Sequence, residues 1–430
     1  MTGPLQDTIF ALSSGPPPAG IAVLRISGPQ AGGAIRTLAN RLPPPRMASL
    51  ALLRDPADGA ALDRALILWL PGPGTVTGED MAEIHCHGGR AVIAALEGAL
   101  AAMPGLRRAD AGEFTRRAFE HGRMDLNAVE GLSDLLAAET QNQRRAALSM
   151  AEGHFSRRID AWRERLLALS AMAEAALDFS DEDDVPDAGI ENEIGTRLAG
   201  LATDIGSMLA APSAERLRDG VRVILAGPPN AGKSTLLNAL VGRDAAIVSA
   251  IAGTTRDRIE VPAAINGIAY VFTDTAGLRD DAGDEIEAVG IDRARTAMEA
   301  ADIILWLGEA DAMPRTDAIL VAAQSDRLGR DRPGLPVSAH TGEGMSALLA
   351  ALSERASALL PREGDYALHR RQRILVAQLS DHIKAAREQY DVLFIAEELR
   401  LARSRLDELT GQASTEDMLD HLFSGFCIGK

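Results

Sequence analysis

Apolar positions along the chain change their spacing three times, and each change predicts a different kind of structure. Up to about residue 122, short alternating runs stand between helical stretches. Gly20 to Ser27 (GIAVLRIS) and Leu66 to Leu70 read as strands, and Ala82 to His87 alternates like a half-buried one. Pro16 to Pro18 and Pro43 to Pro45 punctuate loops. From Leu126 to about Phe179, Ala, Leu, Glu and Arg dominate with few breakers, which predicts long helices. Ser180 to Asp187 is an acidic break of the kind solvated loops carry, and helix resumes to about Arg218. Between Val221 and about Leu360, strand-length apolar runs alternate with helical ones, the βαβ rhythm of a doubly wound sheet. Helix returns from Tyr366 and leads into Phe423 to Lys430. The pattern predicts an α/β plus all-α chain of three domains. An α+β domain covers 1–122, a helical domain is built from 123–218 and 362–430, and an α/β domain over 219–361 is inserted into it.

Composition narrows the class. A chain of 430 residues with 46% hydrophobic and 24% charged content is an ordinary globular protein too long for one core. No apolar run reaches membrane-spanning length, so no membrane association is expected. Met1 to Phe10 lacks the basic and apolar segments of a signal peptide. Two cysteines, Cys86 and Cys427, are too few for a disulfide framework, and a cytoplasmic location is expected. The net charge of −17 has the wrong sign for a protein that coats nucleic acid unaided. An RNA substrate would need a basic partner or a local basic patch.

The sharpest chemical signal is Gly227-Pro-Pro-Asn-Ala-Gly-Lys-Ser234, a GxxxxGKS loop between an apolar strand and a helix. Its backbone N–H groups, from Asn230, Ala231 and Gly232 through Thr235, can wrap phosphate oxygens at a helix N-terminus. Lys233 would contact the β- and γ-phosphates, and the Ser234 hydroxyl would ligate Mg²⁺. Asp274-Thr275-Ala276-Gly277 follows a second apolar strand, where Asp274 can hold the Mg²⁺ shell and Gly277 can sense the γ-phosphate. Between them, Gly253-Thr-Thr-Arg-Asp257 places Thr255 as a second Mg²⁺ hydroxyl. The order GKS, GTT, DTAG predicts a Ras-like G domain that binds GTP. After a later strand, Ala323-Gln324-Ser325-Asp326 stands where Asn-Lys-x-Asp is expected. The Asp326 carboxylate can accept both guanine N1–H and N2–H, which adenine lacks, whereas Gln324 cannot supply a lysine's charged cover. Ser338-Ala339-His340, followed by Gly342 and Gly344, fits the last base-contacting loop.

His85-Cys86-His87 has the look of a metal site, but strand alternation sends Cys86 to the face opposite the two histidines, so none is expected there.

Several longer motifs carry a resemblance over nearly the whole chain. Asp7-Thr-Ile9, Gly20 to Gly28, Thr77-Gly-Glu-Asp80, Glu83 to Gly89 (EIHCHGG), Gly112 to Phe119 (GEFTRRAF), Asp125-Leu126, PNAGKSTLLN and Phe426-Cys-Ile-Gly-Lys430 resemble the MnmE (TrmE) family of bacterial tRNA-modifying GTPases. The resemblance implies a folate-binding N-terminal domain that also dimerises, and a homodimer working with a flavin-dependent partner, MnmG, as a heterotetramer. Together they would modify carbon 5 of the wobble uridine, position 34, of certain tRNAs. The one-carbon donor would be 5-formyl- or 5,10-methylene-tetrahydrofolate. It further implies a K⁺ site formed by Asn230, Ser249, Ile251 and Thr254, with Ser249 and Thr254 also close to GTP. The water-orienting glutamate implied is Glu287, with Glu285 as its rival; both would equally suit the start of a helix. Folate contacts implied are Arg25, Glu83, Arg123 and Lys430, where Arg123 replaces the usual lysine, and Cys427 would lie near the donor.

Two other readings stay open. A regulatory or ribosome-assembly GTPase without modification chemistry would share every G-domain motif, and only the N-terminal motifs and the terminal CIGK speak against it. A P-loop ATPase is disfavoured by Asp326.

Overall fold

The computed structural model describes residues 7–178, 187–244, 246–247, 260–274, 295–329, 331–362, 364–413 and 416–430. Backbone contacts divide the chain into two compact units. One comprises the residues up to Ser133 together with Thr410–Lys430, the other Asp134–Leu409. Residues 410–430, which the sequence pattern groups with the helical domain, thus belong to the same unit as the N-terminal sheet.

The first unit runs β1 (Thr8–Leu12), β2 (Ala19–Ser27), α1 (Ala31–Ala39), β3 (Ser49–Arg54), β4 (Ala61–Leu70), β5 (Met81–Gly88), α2 (Arg90–Ala101), β6 (Leu106–Arg108) and α3 (Glu113–Glu120). Its six strands form one sheet in the order β3-β4-β5-β2-β1-β6. Period-two alternation decides which residues meet. Leu24, Ile26, Ala82, Ile84 and Ile67 point to the core shared with α1 and α2, while Arg25 and Glu83, paired in register across β2 and β5, share the other face.

The second unit begins within α4 (Leu126–Ala137) and continues through α5 (Gln141–Ala151), α6 (His154–Asp178), α7 (Asp187–Ala210) and α8 (Glu215–Asp219). The α/β region follows as β7 (Val221–Ala226), α9 (Lys233–Asp244), β8 (Ala246–Ile247), β9 (Glu260–Ile265) and β10 (Ile268–Asp274). The described helical residues 295–300 (α10) lead to β11 (Ile303–Trp306), β12 (Ile319–Ala323), α11 (Ser325–Leu328), β13 (Leu335–Val337) and α12 (Met345–Leu359). Helices α13 (Arg370–Glu388) and α14 (Val392–Thr410) close the unit. Phe155, Trp162, Leu166 and Leu169 recur at helical spacing on α6 and pack with apolar stripes of α7, α13 and α14 in one buried cluster. The seven-stranded sheet has the order β13-β12-β11-β7-β10-β9-β8. Strand β7 lies in its middle, parallel to β10 and β11, and is apolar and buried over five of its six residues, as a strand covered on both faces must be.

Two features fasten the first unit. Helix α15 (Glu416–Ser424) is tied to α3 by Arg116, which bonds Glu416 and Asp420, and Phe423 and Phe426 bury against Val129. Beneath them Arg117 is fully buried. It donates to Asp7 at 2.9 Å, Glu79 at 3.1 Å and Glu113 at 3.0 Å. Arg107 bonds Asp7 and Glu113 at 2.5 Å each. The TGED and GEFTRRAF motifs therefore meet around one guanidinium.

Burial alone would raise the Asp7 and Glu113 carboxyls, but Arg107 and Arg117 outweigh it and hold both below the usual carboxylate range. Groups whose folded pKa is depressed stabilise the fold above their unfolded pKa, and that stability is lost as pH falls through the folded one. The first unit should lose stability on acidification below about pH 4, the ordinary carboxylate range. Arg117→Met leaves Glu79 without its cation and Asp7 and Glu113 with Arg107 alone, and should cost about 3–5 kcal/mol at neutral pH. Denaturant titration at neutral and acid pH checks both, since the variant should also lose much of the acid sensitivity.

Candidate functional site

In an open parallel sheet, chemistry collects beyond the carboxyl ends of the strands. Each G-domain motif lies there: the phosphate loop after β7, Asp274 at the end of β10, the Gln324–Asp326 loop after β12, and Ser338–His340 after β13. The loop's turn uses left-handed backbone at Asn230 (φ 62) and Gly232 (φ 91). Helix α9 then opens at Lys233. The Lys233 ammonium, buried, donates to the Gly227 carbonyl at 3.1 Å and the Pro228 carbonyl at 2.9 Å, so the loop holds it over its own hollow. The parallel register aligns Asp274 with Leu225. That brings its carboxylate to the Ser234 hydroxyl, 2.5 Å away. Two hard oxygens thus converge at the N-terminus of α9, a donor set that suits Mg²⁺. Asn230, Ala231 and Thr235 lie at the same mouth, with Asn230 and Thr235 exposed.

The base loop shows a contact that sequence reasoning missed. Gln324, itself left-handed (φ 58), donates its side-chain amide to the Asn230 carbonyl at 3.1 Å. A Cβ added at Gly232 would come within 3.1 Å of the same nitrogen, the end of a flexible side chain, so it is the left-handed turn that calls for glycine here. Asp326 is exposed, and the hydroxyl of the buried Ser338 donates to it, holding its carboxyl below the usual range. His340, nearby, adds in the same direction. Ala339 and His340 form the turn between Ser338 and Gly342, closed by the Gly342 amide on the Ser338 carbonyl. Ser249, Ile251, Thr254, Thr255, Thr275, Ala276, Gly277, Glu285 and Glu287 lie outside the described residues.

In the first unit the structure joins two of the residues implied for folate. Arg25 donates to the Glu83 carboxylate at 3.0 and 3.2 Å, and its guanidinium lies 5.9 Å from the centre of the Phe114 ring. His85 bonds the other Glu83 oxygen at 3.1 Å, a contact legible in the i, i+2 spacing of a strand. Burial alone would raise the Glu83 carboxyl, but His85 and Arg25 together hold it below the usual range. Arg123 instead donates to the Thr75 carbonyl at 3.1 Å. Lys430 sits in the terminal turn, its amide on the Cys427 carbonyl, and the Ser13 hydroxyl clasps Gly429 at 2.8 Å. Neither Arg123 nor Lys430 hydrogen-bonds the Arg25–Glu83 pair. Cys427 is exposed. Cys86 is buried on the helix-covered face, and His87 pairs with Asp63 at 2.8 Å. No cluster of three metal-binding side chains occurs among the described residues, nor is any described helix long and apolar enough to cross a membrane.

Sheet order, phosphate loop and base loop together define a P-loop GTPase domain. Family models for the MnmE helical domain and for the GTP-binding protein TrmE N-terminus match residues 126–427 and 8–123. The tRNA modification GTPase MnmE of Rhizorhabdus wittichii is 58% identical over 99% of this chain and 97% of its own length. That of Novosphingobium aromaticivorans is 55% identical over 99% and 100%. The chain belongs to the tRNA modification GTPase MnmE family. Among solved structures, the G domain of the T. maritima FeoB iron transporter is 24% identical over 32% of this chain and 98% of its own, with a TM-score of 0.22.

Removing one neutral hydrogen bond costs about 1 kcal/mol. Gln324→Ala should therefore weaken GDP binding about fivefold, measured by calorimetry. Unchanged affinity would make the contact to Asn230 incidental.

Proposed function

We propose that this chain is a potassium-dependent GTP hydrolase acting in tRNA modification, built from the three domains the apolar pattern predicts except that residues 410–430 join the N-terminal one. The observation that carries the GTPase reading is the convergence of Lys233, Ser234 and Asp274 at the strand ends where the base loop with Asp326 also lies. Family membership over the full chain supports the modification role.

Lys233 and the loop amides of Ala231 to Thr235 would bind the phosphates of GTP, and Asp326 would read the guanine edge. Ser234, Asp274 and Thr255 would hold Mg²⁺. Asn230, with Ser249, Ile251 and Thr254, would hold K⁺. These cations supply positive charge where negative charge develops as the β–γ bond breaks. Glu287 would orient the attacking water, Glu285 being its rival, and Thr275 to Gly277 would follow the γ-phosphate. In the first unit Arg25 and Glu83, with Arg123 and Lys430, would hold a tetrahydrofolate derivative near Cys427. The Arg25–Glu83–His85 chain supports this, being a polar, half-buried set with both signs of charge. In this reading a cytoplasmic homodimer works with a flavin-dependent MnmG partner on the wobble uridine of certain tRNAs.

Steady-state GTP hydrolysis should be at least about tenfold faster in potassium than in sodium, and Asn230→Ala should erase the difference. Equal rates in the two salts would remove the potassium role while leaving a GTPase. Folate binding to the full chain, followed by fluorescence quenching, should weaken about tenfold in Arg25→Ala, which loses a charge-assisted contact. No folate binding by the unaltered chain would favour a regulatory GTPase instead.

A further inference from the structure

The corner between α5 and α6 bears an open surface cavity of about 430 Å³. Ser149 and Tyr366 line it with hydroxyls, and His154, Arg157 and Arg158 with cations or a titratable ring. No carboxylate lines it among the described residues. All three basic residues stand in the first five positions of α6, the end where the helix dipole is already positive, and no acid occupies that first turn. A chain of net charge −17 has thus placed its cations where the local field favours them least.

Neutralisation inside the fold is incomplete. Asp204 accepts from Arg158, from Arg165 at 3.0 Å and from the Trp162 indole at 3.0 Å, so one carboxylate answers two guanidiniums. Arg157 donates one N–H to the Glu152 carbonyl at 2.9 Å, which caps the end of α5 but leaves its charge unpaired among the described residues. Among the described residues His154 meets the Ser149 hydroxyl, at 3.0 Å. The basic character extends outward along α5. Between Gln141 and Ile159 there are four arginines, Arg144, Arg145, Arg157 and Arg158, against one acid, Glu152. A single small anion needs a pocket alone, whereas a strip running out of a pocket suits a polyanion.

We infer that this corner is an RNA-backbone site, Arg157 and Arg158 taking a phosphodiester in the cavity and Arg144 and Arg145 its neighbours along α5. The inference rests on the tRNA-modification reading and deepens it by naming the docking surface. Guanidinium groups suit phosphate oxygens bidentately, and the Ser149 and Tyr366 hydroxyls suit phosphate or ribose oxygens.

The test is fluorescence anisotropy of unmodified tRNA with the full chain over a range of salt concentrations. Arg157→Glu should weaken binding on the order of tenfold and flatten the logarithmic salt slope by about one, while Arg157→Lys retains most of the affinity. If Arg157→Glu shifts the thermal midpoint, Arg145→Glu on the exposed face of α5 serves in its place, with the same expectation. Equal tRNA affinity in wild type and variants, or no salt-dependent binding by the wild type, overturns the assignment. Inorganic phosphate is the second probe: protection of the cavity by phosphate with tRNA binding insensitive to Arg157 would make this a free-anion site. Loss of a protein partner from Arg157→Glu with tRNA affinity intact would make it a protein contact. GTP hydrolysis by the same wild-type samples, without tRNA, tests the parent GTPase reading separately.

Discussion

Two parallel strands ending side by side govern what the second unit can do. Strands β7 and β10 are hydrogen-bonded in a register that sets Asp274 beside Leu225, two residues before the phosphate loop begins at Gly227. Shifting that register by one residue would send Asp274 to the opposite face and separate it from Ser234. The period-two burial of β10, where Ile268, Tyr270 and Phe272 are buried and the residues between them only half-buried, is what makes such a slip costly. The geometry of the Ser234–Asp274 pair is therefore set by hydrophobic burial elsewhere, with no stiffness required of the loop itself. The same logic carries the base loop, whose position follows from β12 lying two strands away in the same sheet.

The first unit depends on charge where the second depends on apolar register. A fully buried guanidinium is expensive to desolvate, and only the convergence of Asp7, Glu79 and Glu113 makes it tolerable. Those acids come from the start of β1, from the loop before β5 and from the first turn of α3. One arginine thereby specifies how three distant stretches of chain meet. Ser27, which donates to Glu79 at 2.6 Å, extends this specification into β2, two residues from Arg25.

Much of this was legible in the residues. The phosphate loop, Asp274 and Asp326 could be found because glycines, a lysine and acids at strand ends are demanded by the chemistry and stand at fixed local spacing. The strands around Arg25 and Glu83 announced themselves by alternation, and the same alternation separated Cys86 from its histidine neighbours. What could not be read were contacts between distant residues. Gln324 reaches Asn230 across 94 positions, and no local pattern reports that contact. The motifs TGED and GEFTRRAF signalled a family, yet not that their shared purpose in the fold is to surround Arg117. Residues 410–430 look helical by composition, and helical periodicity says which face is apolar without saying what it covers.

That last assignment bears on how the protein is made. The first unit takes its opening strands from one end of the chain and α15, Phe426 and the clasped Gly429 from residues that follow the whole second unit. A ribosome translating this message therefore exposes the N-terminal sheet long before the segment that seals it exists. Residues 134–409 can complete their own cores during elongation, whereas the sheet must wait with an unfinished flank, a period in which exposed apolar surface invites misassociation. The folding of that sheet therefore finishes only after residues 134–409 have been made, and residues 410–430 act as a latch thrown late.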